Sequence, residues 1–452
     1  MKVYLSTLGC KLNESELEAW ARRFAADGYE IVDDARNADV CVLNTCTVTH
    51  VAARKSRQIA RQMARANPHA RIVLTGCYTD IAPDEAKRLP NVALVVPNAE
   101  KDRLVQQVAG FMLQVSDCSQ YGEPNSQITI RKSQLRTRAF VKIQDGCNMS
   151  CAYCIIPLAR GKERSRSCEE IVTEVQSLVD AGYQEIILTG VQISAYREGG
   201  ADYPFVLRDL VAAILSETNV PRLRLTSIAP WDLVNGLETD ESLLDLWSDA
   251  RLCRHLHLSL QSGSDTVLRR MRRPYTTAQF ARAVEITRAK IPDVGITTDV
   301  IVGFPGESEV EFEQSRDFVA RMQFSRVHVF PYSARAGTLA VNLPLQVADA
   351  VKESRAKQMQ TIADASAHAF ARRFLGRAMD VLWESREEMT DDLSLASRRS
   401  PPVWSGYTDN YVRVTAASDA NLHNQIVSAR ILDVAQRGDG VIAEIPANPN
   451  TL

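Results

Sequence analysis

Short apolar runs and helical stretches alternate along the N-terminal part of the chain. KVYLSTLGC, DVCVLNTC and RIVLTGC are rich in Val, Leu and Ile and end at Cys10, Cys46 and Cys77. Runs of this length and composition predict buried parallel strands. Helical periodicity lies between them, from Glu14 to Asp27 and from Ala52 to Ala66. Strands alternating with helices predict an open parallel α/β sheet. Ligands of such sheets sit beyond the carboxyl ends of the strands. Three cysteines far apart in sequence can therefore meet at one point.

The pattern then breaks. Residues 111–133 are polar and irregular and read as a linker between an N-terminal domain, 1–110, and a central one, 134–375. Six further strand candidates follow, at Arg138–Gln144, Glu185–Thr189, Leu223–Ser227, Leu256–Leu260, Thr297–Val302 and Arg326–Phe330. Helical patterns at Glu169–Ala181, Thr276–Ala289 and Glu309–Met322 separate several of them. Six β/α units predict a partial (βα)6 barrel with its chemistry at the strand C-terminal face. A long helical pattern, Gln346–Phe374, leads into residues 376–452. There MDVLWES, NYVRVTA, QIVSARILDVA and GVIAEIP, with turns between them, predict a small β-barrel.

A chain of 452 residues suits this multidomain division. The first residues, MKVYLSTLGCKLNESE, lack the long apolar run of a signal peptide. No stretch reaches the ~20 apolar residues of a membrane span. The chain thus reads as cytoplasmic, with no membrane partner. Its ten cysteines are then expected to serve metal binding or catalysis rather than disulfides. Cys147, Cys151 and Cys154 form C-x3-C-x2-C directly after the first barrel strand. Three thiolates suit two readings: a zinc site completed by Cys168 or a histidine, or a four-iron cluster with one corner left to something other than protein. Cys41 and Cys253 read as core residues, Cys118 as a linker residue and Cys168 as a helix start.

The C-x3-C-x2-C placement, with Tyr153 inside C-A-Y-C, resembles the radical S-adenosylmethionine enzymes. GCKLNESE, NTCTV and TGCY resemble the N-terminal domain of methylthiotransferases, and RGKERSR, HLSLQSGS and IVGFPGE their central domain. GYTDNYVRV resembles their C-terminal TRAM domain. The resemblance spans essentially the whole chain. It implies a four-iron cluster on Cys147, Cys151 and Cys154 that binds S-adenosylmethionine, with Tyr153, Gly190, Gln261 and Gly303 as cofactor contacts. It also implies an auxiliary four-iron cluster on Cys10, Cys46 and Cys77 that carries the sulfur to be inserted. S-adenosyl-L-methionine would act both as methyl donor and as radical source. An electron donor and a sulfur source are implied as partners.

The form GCKLN resembles enzymes acting on N6-threonylcarbamoyladenosine of tRNA. GCQMN forms accompany isopentenyl-adenosine in tRNA, and GCPKN forms a ribosomal-protein aspartate. The implied activity is methylthiolation of C2 of N6-threonylcarbamoyladenosine at tRNA position 37. Lys11 is expected to favour its anionic substituent. A zinc-stabilised RNA-binding protein without catalysis is the alternative of a different class. Metal analysis separates the two.

Charge adds an RNA expectation. Net charge is −2, yet no acidic residue lies between Val40 and Thr79. Arg54, Arg57, Arg61 and Arg65 recur on one helix face and are expected to contact tRNA phosphates. Arg131, Lys132, Arg136 and Arg138, and then Arg269–Arg273, are further basic stretches. Residues 377–452 instead hold seven Lys/Arg against eleven Asp/Glu. RNA contact there would rest on Arg398, Arg399 and Arg413, or on stacking by Tyr407 or Tyr411.

Overall fold

The computed structural model describes residues 1–115, 137–199, 205–235, 242–387, 401–435 and 440–446. Cys118, Arg131, Lys132, Arg136, Arg398, Arg399 and most of the expected linker lie outside the described residues.

Five parallel strands form the N-terminal sheet: β1 (Lys2–Thr7), β2 (Glu30–Val32), β3 (Val40–Thr45), β4 (Arg71–Gly76) and β5 (Val92–Val96), in the order β2-β1-β3-β4-β5. β2 and β5 are additions to the three cysteine-ended strands read from sequence. Apolar side chains leave the sheet on both sides. Cys41, Leu43, Ile72 and Leu74 pack under helix α2 (His50–Ala66), and Val3, Val40, Val42 and Val73 face Trp20 and Phe24 of helix α1 (Lys11–Ala26). Both faces are covered, as a parallel sheet requires. The helix Leu104–Val115 runs five residues into the segment expected to be linker.

The central strands are Arg138–Lys142, Glu185–Thr189, Arg222–Leu225 continued by Ser227–Ile228, His255–Leu258, Gly295–Val302 and Arg326–Pro331, all parallel. They form the six-unit partial barrel expected from sequence. Alternate residues divide the strands. Ala139, Val141, Ile186, Leu188, Leu256, Leu258, Ile296 and Val300 join the core beneath the outer helices. The alternate positions hold Arg138, Lys142, Glu185, Arg224, His255, His257, Thr297, Asp299 and His328, with the buried Phe140 and Ile187 among them, so the interior is largely but not wholly polar.

The C-terminal strands close a barrel in the order Ala378–Arg386, Val403–Thr408, Arg413–Ala417, Val441–Glu444, Gln425–Val434. Val403–Thr408 was not among the strands expected from sequence. The acidity of this domain has a structural use. Arg254 pairs with Asp409 at 2.6 Å and Arg138 with Glu384 at 2.5 Å, while Arg222 and Arg224 donate to the carbonyls of Asp380 and Asp409. An arginine-rich rim of the central barrel thus receives the small barrel's carboxylates and carbonyls. Gly295 lies against it so closely that a Cβ there would meet the Asn410 carbonyl at 2.2 Å. Among the described residues no helix is long and apolar enough to cross a membrane.

Candidate functional site

Cys10 precedes the first turn of α1, Cys46 follows β3, and Cys77 opens the short helix Cys77–Ile81 after β4. Two glycines allow the approach. Gly9 has φ +127°, and a Cβ on it would lie 2.9 Å from Cys46 Cβ. Gly76 has φ +102°, and its Cβ would lie 2.3 Å from the Thr45 carbonyl. Either substitution would combine backbone strain with overlap. Cys46 and Cys77 are buried, and Cys10 is exposed. Burial pushes the Cys46 thiol up to about 11, with Cys77 and Cys10 adding to the shift. Cys77 is raised by burial too, opposed by the nearby charges of Arg160 and Lys101. A metal group taken up here would therefore have to displace protons.

Arg160 is the connection that sequence reasoning missed. Its guanidinium is buried and bridges Glu16 at 3.1 Å and Asp145 at 2.9 Å, and donates to Asn13 Oδ1 at 2.6 Å. Glu16 also takes Lys101 at 2.7 Å, and Lys101 donates to Asn44 Oδ1 at 3.1 Å. Burial works against ionisation of Glu16, but Arg160, Lys101 and Lys142 outweigh it and hold the carboxyl well below its usual range. Asn13 donates to the Leu8 and Thr45 carbonyls, at the ends of the first and third strands. The motifs GCKLNESE and RGKERSR contain Asn13, Glu16 and Arg160. Nothing in their spacing shows that they pair.

The same network reaches the second triad. Asp145 lies two residues before Cys147, and Arg164 also pairs with it at 3.0 Å. Gly146 turns with φ +71°, and a Cβ there would overlap the Lys162 carbonyl at 2.0 Å. The Cys147 N–H donates to the Gly161 carbonyl at 3.1 Å and the Cys154 N–H to the Cys151 carbonyl at 3.1 Å. Burial raises the Cys154 thiol to about 12, with Cys151 and Cys147 contributing. Arg273, from the basic stretch 269–273, donates to Cys151 Sγ at 3.3 Å and to the Tyr275 hydroxyl at 3.1 Å. It lies over the rings of Trp231 and Tyr275. Among the described residues Arg273 forms no ion pair with a carboxylate. A buried guanidinium facing thiols fits an anionic group held on thiolates. Cys168 starts its helix elsewhere, with Glu198 and Glu217 as its charged neighbours.

Tyr153 lies beside Arg273, Cys151 and Cys154. Gly190 comes so close to Gln144 that a Cβ would lie 2.9 Å from its carbonyl oxygen, and Gln144 Oε1 accepts from the N–H groups of Val191 and Gln192. Gln261 has φ +68° and exchanges backbone bonds with Asp299 and Ile301. The Gly303 N–H donates to the Glu307 carboxylate at 3.1 Å, and Glu307 pairs with Arg355 at 2.8 Å. Each of these three already has a local backbone role. Arg54, Arg61 and Arg65 are exposed on α2, which buries Ala53, Ser56, Ala60 and Met63. Arg57 differs: it pairs with Glu85 at 3.4 Å and lies over the Tyr78 ring. Tyr407 and Tyr411 stack on each other at 4.9 Å, with Arg138 over both. That position against the central barrel differs from the expected surface stacking.

A barrel with a three-cysteine loop past its first strand, joined to a second three-cysteine edge, defines the class. Residues 141–319 match the Radical SAM superfamily, and residues 2–97 match the group described as Uncharacterized protein family UPF0004. The chain is 38% identical over 450 residues to threonylcarbamoyladenosine tRNA methylthiotransferase MtaB of Bacillus subtilis, covering 95% of this chain and 93% of that protein. It is 36% identical to the protein of the same name from Thermotoga maritima, covering 84% and 86%. Against tRNA-2-methylthio-N(6)-dimethylallyladenosine synthase of Akkermansia muciniphila the identity is 33%, covering 95% and 96%. The chain belongs to the radical S-adenosylmethionine methylthiotransferase family. In fold it is similar to the radical S-adenosylmethionine methyltransferase TsrM of Kitasatospora setae, with TM-score 0.51 at 16% identity over 73% of this chain and 74% of that one.

Proposed function

We propose that this protein is a cytoplasmic tRNA methylthiotransferase that modifies C2 of N6-threonylcarbamoyladenosine at position 37. The substrate rests on the 38% identity to threonylcarbamoyladenosine tRNA methylthiotransferase MtaB of Bacillus subtilis, and the two-cluster chemistry on the buried Arg160 network, which ties the Cys10, Cys46 and Cys77 edge to the loop of Cys147, Cys151 and Cys154. Each triad would hold one four-iron cluster. When bound, the clusters and S-adenosylmethionine supply the radical hydrogen abstraction and the sulfur and methyl groups. The chain's own part is positioning. Arg160 and Arg273 each set a buried cation beside one triad. Tyr153, Gly190, Gln261 and Gly303 are proposed to border the cofactor. An electron donor and a sulfur source complete the partners.

Deleting the gene in a host and digesting its tRNA for mass spectrometry tests the substrate. Loss of 2-methylthio-N6-threonylcarbamoyladenosine with accumulation of its unthiolated precursor is the expected result. Loss of the methylthio-isopentenyl nucleoside instead would refute the substrate and leave the chemistry standing.

The exposed arginines of α2 are proposed to meet tRNA phosphates. Charge reversal at Arg54, Arg61 and Arg65 is expected to weaken tRNA binding. Every phosphate left without its arginine should reduce the slope of log K against log salt by roughly 0.7 to 0.9. Reversal at Arg57 should do less, since Glu85 already offsets its charge. Wild-type affinity and slope in the triple variant would remove α2 from the interface.

A further inference from the structure

The polar interior of the central barrel holds more charged and hydrogen-bonding groups than two cysteine triads require. Asp299 can only accept a hydrogen bond when ionised, and the hydrogen bond from His257 helps bring its carboxyl below the usual value against the cost of burial. His257 Nε2–H therefore donates to it at 3.2 Å, and His257 Nδ1 shares a hydrogen bond with the Thr297 hydroxyl at 3.0 Å. Thr297 Oγ1 in turn accepts from His255 Nε2–H at 3.1 Å. His255 is buried and neutral, and its Nδ1 has no hydrogen-bond partner. The His255 ring packs on Tyr411 with centroids 4.6 Å apart.

Tyr411 belongs to the small C-terminal barrel and holds a left-handed φ of +69°. Such a conformation is costly for a bulky residue and persists only where surrounding contacts fix it. Three cations surround its ring. Arg224 lies 4.8 Å from the centroid and Arg138 5.9 Å, and Lys11 Nζ reaches it from the N-terminal domain at 5.4 Å. Arg224 is neutralised by Glu185 and Arg138 by Glu384. Lys11 forms no such pair: among the described residues no carboxylate lies within ion-pairing distance of its Nζ, although its charge helps lower the Asp299 carboxyl in the same interior. Burial opposes ionisation of the Tyr411 phenol, yet Lys11, Arg138 and Arg224 together bring it below its ordinary value, a mark of net positive potential. On its far side Tyr411 also borders a separate cavity of about 350 Å³ between the strand Arg326–Pro331, the helix Asp349–Arg372 and the small barrel, which Asp364 lines and Lys11 does not.

We propose that Lys11 and Tyr411, meeting on the floor of the barrel interior, form an anion receptor for a carboxylate carried by the substrate base. The inference rests on the tRNA reading and names the contact that distinguishes a charged N6 substituent from an apolar one. All three parts of the chain contribute: the cation from the N-terminal domain, the walls from the central barrel, the floor from the C-terminal barrel. Lys11 is the specificity residue and Tyr411 its positioning residue, holding the ammonium by a cation–π contact. The small barrel then serves substrate choice as well as any RNA affinity.

The test uses the full chain with reconstituted clusters and four anticodon stem-loops. These carry N6-threonylcarbamoyladenosine, its carboxamide counterpart, N6-isopentenyladenosine or plain adenosine at position 37. Binding is measured for wild type, Lys11→Met, Lys11→Arg and Tyr411→Leu, with thermal melting as the control for folding. Wild type is expected to prefer the carboxylate over the carboxamide by roughly tenfold or more, as a charge-assisted contact provides. Lys11→Met should erase that preference and leave carboxamide binding unchanged, while Lys11→Arg keeps part of it. Tyr411→Leu should lower the preference. Equal weakening of all four RNAs by Lys11→Met would mean an interdomain latch and overturn the receptor. So would an intact preference in Lys11→Met. A Tyr411→Leu protein with the full preference would overturn the role of Tyr411. Wild type that binds plain adenosine as tightly as the threonylcarbamoyl form would instead overturn the substrate reading itself.

Discussion

Cys147→Ala is expected to halve the iron of the anaerobically reconstituted protein, from about eight per chain to about four, and to abolish substrate conversion. The reason is the separation of the two triads. Cys147, Cys151 and Cys154 share one loop and the Arg273 guanidinium. Cys10, Cys46 and Cys77 come from three strand ends and share Arg160. Removing one thiol should therefore empty one site only, and Cys10→Ala should give the reciprocal half. Iron, acid-labile sulfide and electron paramagnetic resonance of the two variants distinguish the sites. One zinc and no iron in the wild-type protein would refute the radical mechanism and favour a zinc-stabilised RNA-binding protein. Loss of both clusters from either variant would show that the sites form only together.

Arg160→Leu is expected to destabilise the junction of the N-terminal and central domains by about 3 kcal/mol, the lower end of what breaking a buried ion pair costs. The larger losses need a carboxylate left with no partner. Here Glu16 keeps Lys101 and Asp145 keeps Arg164. The melting temperature should fall and both clusters should load poorly, since Arg160 pairs with Asp145 and its charge also acts on Cys77. Wild-type melting and full iron in this variant would show that the network is dispensable. The same junction should be acid-labile. Glu16 and Asp145 both have folded pKa values below their ordinary ones. Their stabilisation is complete above the unfolded carboxyl range near pH 4. It is lost as pH falls through that range toward the folded values. A thermal-melting series across acidic pH should show this loss in wild type and much less of it in Arg160→Leu.

Periodicity located most of what positions the site. The strand candidates of the central barrel and the helix Glu309–Met322 needed only their apolar and helical patterns, and in the structure Ser308 caps that helix by accepting from the Glu311 N–H. Val403–Thr408 escaped because strand pairing, not local pattern, selects it, whereas Val92–Val96 (VALVV) has the apolar run of a buried strand and differs from β1, β3 and β4 only in ending without a cysteine. The first is held between Ala378–Arg386 and Arg413–Ala417, and the second sits at the sheet edge beside β4. Arg57 shows the limit for charge. Its helix face was legible, but Glu85, far off in sequence, decides how much of its charge is free. Tyr407 and Tyr411 were legible as aromatic residues at or beside the strand candidate NYVRVTA, and only packing turned them inward against Arg138 and Arg224.

By itself the sequence determined the alternating elements, the cysteines at strand ends and the thiol spacing of the barrel loop. These follow from local hydrophobic periodicity and from the geometry of a parallel sheet, which sends every strand end to one edge. Tertiary structure alone decided which charges meet. Arg160 faces Glu16 across 144 positions, and Lys11 reaches a ring 400 residues later in the chain. Coulombic pairing depends on distance in space and on burial, and neither is encoded in the order of residues along the backbone.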